Sequence, residues 1–113
     1  MNKDFALFQS EFKKWQQRFG LTGYRVFFRY EEIPHTFADI QVKQTDMVAV
    51  VRLNSKLDEI DKPNKDIRAT AKHEAIHLLT ARLAENGRYR YIAENEIDEA
   101  LEELVKKLEG LII

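Results

Sequence analysis

Apolar residues recur every three or four positions in three segments of the chain, the spacing of one face of an α-helix. The segments are Asp4–Phe19, Ile67–Glu85 and Glu94–Leu111. Gly20 ends the first pattern and Asn86-Gly87 ends the second, because residues tolerant of a left-handed backbone favour helix termination. The stripe of the third segment is Ile97, Leu101, Leu104, Leu108 and Leu111. We therefore predict three helices.

Three short segments rich in β-branched and aromatic residues predict β-strands between the first and second helices. They are Tyr24–Tyr30, Phe37–Val42 and Met47–Leu53, and Gln44-Thr45-Asp46 supplies a turn before the last strand. The second and third strands are expected to form an antiparallel hairpin. The order α-β-β-β-α-α predicts a small α+β domain in which helices cover one side of an antiparallel three-stranded sheet.

Composition limits the class of protein. The length of 113 residues predicts a single domain spanning residues 1–113. A net charge of −1, with Lys and Arg scattered along the chain, gives no reason to expect a nucleic-acid partner. The chain has no cysteine, so a metal would be held by imidazole, carboxylate and water. No segment resembles a membrane span or signal peptide, and we expect a cytoplasmic protein without membrane attachment.

The second predicted helix contains His73-Glu74-Ala75-Ile76-His77, an H-E-x-x-H motif. Residues four apart lie one turn above each other on a helix, so His73 and His77 can direct ring nitrogens at one metal ion. The carboxylate of Glu74 can then reach a water on that metal. The motif predicts a Zn²⁺ site with His73 and His77 as ligands and Glu74 as the catalytic base.

A catalytic zinc usually has three protein ligands, and the acidic start of the last helix offers the third. The candidates are Glu94, Glu96 and Glu99. Glu94 lies nearest the centre of the apolar stripe and is preferred, because a carboxylate on an inward face needs a partner. Glu96 and Glu99 point away from that face but stay open. Asp98, one turn after Glu94, is expected to accept a hydrogen bond from a ligating histidine.

These two motifs resemble those of the zincin metallopeptidases. His73–His77 followed by Glu94-Asn95-Glu96-Ile97-Asp98 is similar to the gluzincins, whose third ligand is a glutamate on a later helix, and the size is similar to minimal gluzincins and small phage or prophage zincin-like proteins. The pair Asn95-Glu96 is similar to the Asn-Glu pair that carries the third ligand in thermolysin-like members. The resemblance implies a zinc peptidase whose extended peptide or protein substrate lies along an edge strand, here Met47–Leu53.

Two other functions remain open at this stage. A zincin-fold protein could bind zinc and act through a protein partner with little or no turnover, because 113 residues leave little chain for specificity pockets. Alternatively, the motif could be accidental in a metal-free α+β domain. Zinc content separates the last possibility from the other two, and peptide cleavage separates the first two from each other.

Overall fold

In a computed structural model, three α-helices and three strands make up a small α+β domain in the described part of the chain. The described residues are 2–57, 62, 65–88 and 93–111. The elements are α1 (Lys3–Arg18), β1 (Arg25–Glu31), β2 (Ala38–Lys43), β3 (Val48–Asn54), α2 (Ile67–Arg88) and α3 (Glu94–Leu111). A 3-10 turn, Gln44–Asp46, joins β2 to β3 at the predicted turn. None of the helices in this described part is long and apolar enough to cross a bilayer.

The sheet is mixed, with the strand order β1-β3-β2. The predicted antiparallel pairing of β2 with β3 is confirmed, with Ile40 opposite Val51. The prediction of an entirely antiparallel sheet is wrong, because β1 pairs with β3 in parallel and Phe28 lies beside Val51. The expectation that Met47–Leu53 is an edge strand is also wrong, because the corresponding strand, β3, lies in the centre. The strand beside it that contacts α2 is β2, and no other described strand pairs with the outer side of β2.

The sequence of β3 explains its central place. Val48, Val50 and Val51 make it apolar on both faces, a pattern typical of a strand with neighbours on both sides. The chain between β1 and β2 passes across the end of β3, a distance of about 10 Å at two strand spacings. Asn54 holds this connection: its Nδ2 donates to the backbone oxygens of Ile33 and Thr36 at 2.7 and 2.8 Å. Its Oδ1 accepts from the backbone nitrogens of Ile33 and Lys56 at 3.1 and 3.0 Å.

The core lies between one face of the sheet and the helices α1 and α2. The aromatic residues of α1 pack there, and Phe12 meets Phe28 of β1 edge to face at a centroid distance of 5.5 Å. From α2, the small side chains of Ala71 and Ala75 face the same core and are fully buried. Alanines at these positions let α2 approach the sheet closely, which brings the H-E-x-x-H motif beside β2.

Helix α3 runs antiparallel to α2 and packs against it. The predicted stop at Asn86-Gly87 is wrong, because α2 continues to Arg88. A Cβ atom on Gly87 would lie 3.0 Å from Cδ1 of Ile97, so this glycine serves the close approach of α3. By contrast Gly20, with φ +71°, follows the end of α1 as predicted.

Candidate metal centre

Both histidines of the motif lie on one face of α2 and face α3. Their side chains are about one-quarter exposed, and their Nε2 atoms are 3.1 Å apart. Asp66 begins this helix, with Oδ1 accepting a hydrogen bond from the backbone nitrogen of Ala69 at 3.0 Å. The i, i+4 spacing therefore does what the sequence predicted: it places two imidazole nitrogens side by side.

Glu102 of α3 brings a carboxylate to both histidines. Its Oε1 lies 3.2 Å from Nε2 of His73, and its Oε2 lies 3.3 Å from Nε2 of His77. The three side chains form a group able to hold a metal ion, here called the metal group. Donors arranged tetrahedrally around zinc at about 2.0–2.1 Å are about 3.3 Å apart. The distance between the two Nε2 atoms is close to this spacing, while the short distances to Glu102 involve its two different oxygens. One donor atom from each of the three residues lies within 4.8 Å of the other two.

Glu109, also on α3, contacts the other nitrogen of His73. One of its carboxylate oxygens, Oε1, is the hydrogen-bond partner of Nδ1. A carboxylate in this position fixes the tautomer that carries the proton on Nδ1. The Nε2 atom of His73 then presents its lone pair to the metal group. Three acceptor atoms within 4.8 Å of one another repel unless a cation or protons lie among them.

The neutral form of His77 is favoured as well. Burial lowers the pKa of His77, and the neighbouring His73 lowers it further, whereas Glu102 and Glu109 act in the opposite direction. A metal-binding imidazole must be unprotonated at the ligating nitrogen. The environment of His77 therefore favours the protonation state that a ligand needs.

Glu74 is the most buried acid of the site, with 5% of its surface exposed. Burial raises the pKa of Glu74 from its ordinary 4.5 to about 8, and the negative charges of Asp39, Glu102 and Glu109 add to this effect. A buried carboxylate among other carboxylates is costly in its charged form. A cation at the metal group would oppose these effects, because opposite charge stabilises the carboxylate.

The structure does not bring the predicted third ligand, Glu94, to the histidines. Glu94 lies exposed in the first turn of α3, eight residues before Glu102 and so about 12 Å away along the helix axis. Glu96 and Glu99 are exposed too. The position predicted for Asp98, beside the second nitrogen of a ligating histidine, is taken by Glu109 at His73. The acid of the metal group, Glu102, therefore lies about two turns further along α3 than the predicted ligand, Glu94.

The sequence contained a signal for Glu102 and Glu109. Val105 of α3 is fully buried. Glu102 lies three residues before it and Glu109 four residues after it, so all three residues share one helical face. The predicted stripe was centred partly on Leu104, which is 37% exposed. Centring it on Val105 would have placed Glu102 and Glu109 on the inward face.

Two cavities flank the metal group along the edge strand β2. The first, here the Glu74 cavity, measures about 340 Å³ and is lined by Ala38, Ala69, Glu74 and neighbouring residues. The second, here the Ala81 cavity, measures about 590 Å³ and is lined by Ile40, Ala81, His77 and others. Residues of β2, α2 and α3 line both cavities, and this shared lining is here called the cleft. Each cavity has a volume in the range of ligand sites.

Comparison with known proteins adds no relative: no profile of a known family matches the chain, and no curated protein or solved structure matches it.

Proposed function

We propose that the protein is a zinc metallopeptidase that cleaves peptide bonds. The proposed ligands are His73, His77 and Glu102, with Glu102 in the place first given to Glu94. The observation that carries the proposal is the metal group itself. Three nitrogen and oxygen donors within 4.8 Å of one another, with a carboxylate bound to the other nitrogen of His73, match the donor set of a catalytic zinc site.

The donor set favours zinc over harder ions. Two imidazoles and one carboxylate are typical of catalytic zinc sites, whereas magnesium and calcium prefer oxygen ligands alone. Three protein donors leave a fourth position for water or substrate. When bound, zinc would supply Lewis acidity and lower the pKa of a coordinated water toward 7.

Glu74 is the residue proposed to move the proton. Its carboxylate follows His73 directly on α2 and lies in the cleft. We infer that it takes a proton from the attacking water and passes it to the leaving amine. Glu74 is nearly buried, with 5% of its surface exposed. Such an environment strengthens electrostatic interactions with the reacting groups.

The substrate is proposed to lie along β2. In the sheet described here, one side of β2 pairs with β3 and the other side pairs with no described strand. Its free backbone groups can pair with an extended peptide as an added strand. The same strand borders both cavities, from Ala38 in the first to Val42 in the second. A peptide on this edge would pass directly over the metal group.

Two measurements test the proposal. The purified protein should bind about one equivalent of zinc, and His77→Ala should lose it, because removing a ligand leaves two donors. The zinc-loaded protein should cleave members of a mixed peptide library, and Glu74→Gln should lower the rate by about 10²- to 10⁴-fold while retaining the metal. Equal inertness of the two proteins toward peptides would reject the peptidase and leave a zinc-binding protein that acts through a partner. Absence of zinc from the wild type would reject both.

A further inference from the structure

The Ala81 cavity is larger than the cavity on the other side of the metal group, and its floor is apolar. The apolar lining residues are Ile40, Val42, Ala81, Ala84 and Leu101. Ala81 and Ala84 are the reason for the space, because larger side chains at these positions of α2 would fill it. The hydroxyl of Thr80, which also lines it, is bonded to the backbone oxygen of Ile76 at 3.2 Å. The floor therefore presents no unsatisfied hydroxyl to a ligand.

Most polar groups at the rim have partners. Gln44 closes one end: its Oε1 accepts a hydrogen bond from the hydroxyl of Tyr24 at 2.8 Å, whereas its buried Nε2 has no hydrogen-bond partner in the described part of the chain. Glu85 and Asp98 both have interaction partners in the structure. Glu102 belongs to the metal group. A side chain entering the cavity would therefore gain by burying apolar surface against the floor.

The location of Glu74 sets the direction of the peptide. Glu74 lines the other cavity and not the Ala81 cavity. The base that returns a proton to the leaving amine must lie near the amine, which begins the C-terminal fragment. The residue on the N-terminal side of the cleaved bond then falls toward the Ala81 cavity. An antiparallel peptide on β2 would run in this direction, since β2 leads from Ala38 toward Val42.

We propose that the Ala81 cavity binds a large apolar side chain of the peptide substrate, on the N-terminal side of the cleaved bond. The inference rests on the proposed peptidase function, and it names the substrate class: peptides with leucine- or phenylalanine-like residues at that position. The cavity is continuous with the metal group through His77 and Glu102, which line it.

A binding experiment tests the occupant without requiring turnover. Zinc-loaded Glu74→Gln protein is titrated with extended peptides that differ at one position, carrying Leu, Phe, Ser, Lys or Asp, and affinity is measured by calorimetry. Leu and Phe peptides are expected to bind at least about tenfold more tightly than the polar ones, corresponding to about 1.4 kcal/mol. Ala81→Leu in the same background should abolish this preference by filling the cavity. Ala100→Leu makes the same change at an exposed site on α3 and should retain it.

The outcomes separate the two proposals. Cleavage by the wild-type protein, mapped by mass spectrometry, should place the apolar residue on the N-terminal side of the broken bond. Preference for Lys or Asp peptides, equal affinity for all five, or absence of binding would overturn the cavity assignment. An unchanged preference in a folded Ala81→Leu protein, checked by circular dichroism and zinc content, would overturn it as well. If the peptides bind with the expected preference but the wild-type protein cleaves none of them, the proposed peptidase function is rejected instead.

Discussion

Glu109 and His73 are joined through Nδ1 of the imidazole, while Nε2 of the same ring faces His77 and Glu102. Each nitrogen of His73 therefore has a different task. The carboxylate holds the proton on one side of the ring, and the lone pair on the other side faces the metal group. The electrostatic arrangement of the site depends on an acid that is not itself a ligand.

Glu109→Gln should weaken zinc binding by about 10- to 100-fold without preventing it, because the amide loses the charge that stabilises the Nδ1 proton. Competition with a chromophoric chelator measures the affinity. Glu103→Gln is the matched control, because Glu103 is exposed and pairs with Lys107 at 2.8 Å on the outer face of the same helix. Equal affinities for the two variants would show that the contact of Glu109 with His73 does not tune the metal.

Glu102→Ala should weaken zinc binding by at least about 100-fold, more than loss of a carboxylate that only orients a ligand. Glu94→Ala is the informative comparison, because Glu94 is the ligand that the sequence favoured. It should leave the affinity within about twofold of the wild-type value, since its position is about 12 Å along the helix from Glu102. A larger loss in Glu94→Ala than in Glu102→Ala would restore the original assignment.

Glu74→Gln should change how the stability of the metal-free protein depends on pH. The folded-state pKa of Glu74 is raised to about 8 from an ordinary 4.5. The protonated form is therefore favoured on folding, and its contribution is fully present below pH 4.5 and lost as pH rises toward 8. Glutamine stays neutral throughout. Near pH 4.5 the unfolding free energy of the variant should be close to that of the wild type. At pH 8 it should exceed the wild-type value by on the order of a few kcal/mol.

Urea unfolding with a chelator present, at several pH values between 4.5 and 8, measures this difference. Glu96→Gln removes a charge from an exposed position of α3 and serves as the comparison. A difference in unfolding free energy between Glu74→Gln and the wild type that stays constant across this pH range would contradict a raised pKa for Glu74.

Asn54→Ala should destabilise the protein by about 3 kcal/mol, because it leaves buried backbone groups of Ile33 and Thr36 without partners. Gln41→Ala, a change at an exposed amide of β2, should cost much less. The two unfolding free energies can be compared in urea. The same variant should also widen the Glu74 cavity, which Thr36 lines. Similar stabilities for the two variants would show that the connection between β1 and β2 does not need the Asn54 amide.

Local features of the fold were predictable, whereas long-range pairing was not. Helix α1 begins and ends within one residue of its predicted bounds, because periodicity and Gly20 act over a few residues. The parallel pairing of β1 with β3 depends on where distant segments meet, and a strand pattern fits either direction. The apolar residues on both faces of β3 were the available sign of its central position.

The same distinction applies to the metal group. His73 and His77 belong to one helix, so their spacing alone predicts that they meet. Glu102 comes from another helix, and whether it lies opposite the histidines depends on how α2 and α3 pack as a hairpin. In an antiparallel hairpin, residues equally far from the connection lie side by side. His73 stands as far before Arg88 as Glu109 stands after Glu94, so counting outward from the connection would have pointed to Glu109.

The division of the metal group, with two donors on α2 and one on α3, has a thermodynamic consequence. An ion bound there would act as a cross-link between two helices that also contact each other by side-chain packing and by the hydrogen bonds of Glu109 with His73 and Lys72. Its binding energy would then be shared with the docking of α3. Docking of α3 is what encloses the cleft, so the availability of metal would set how often the cleft is complete.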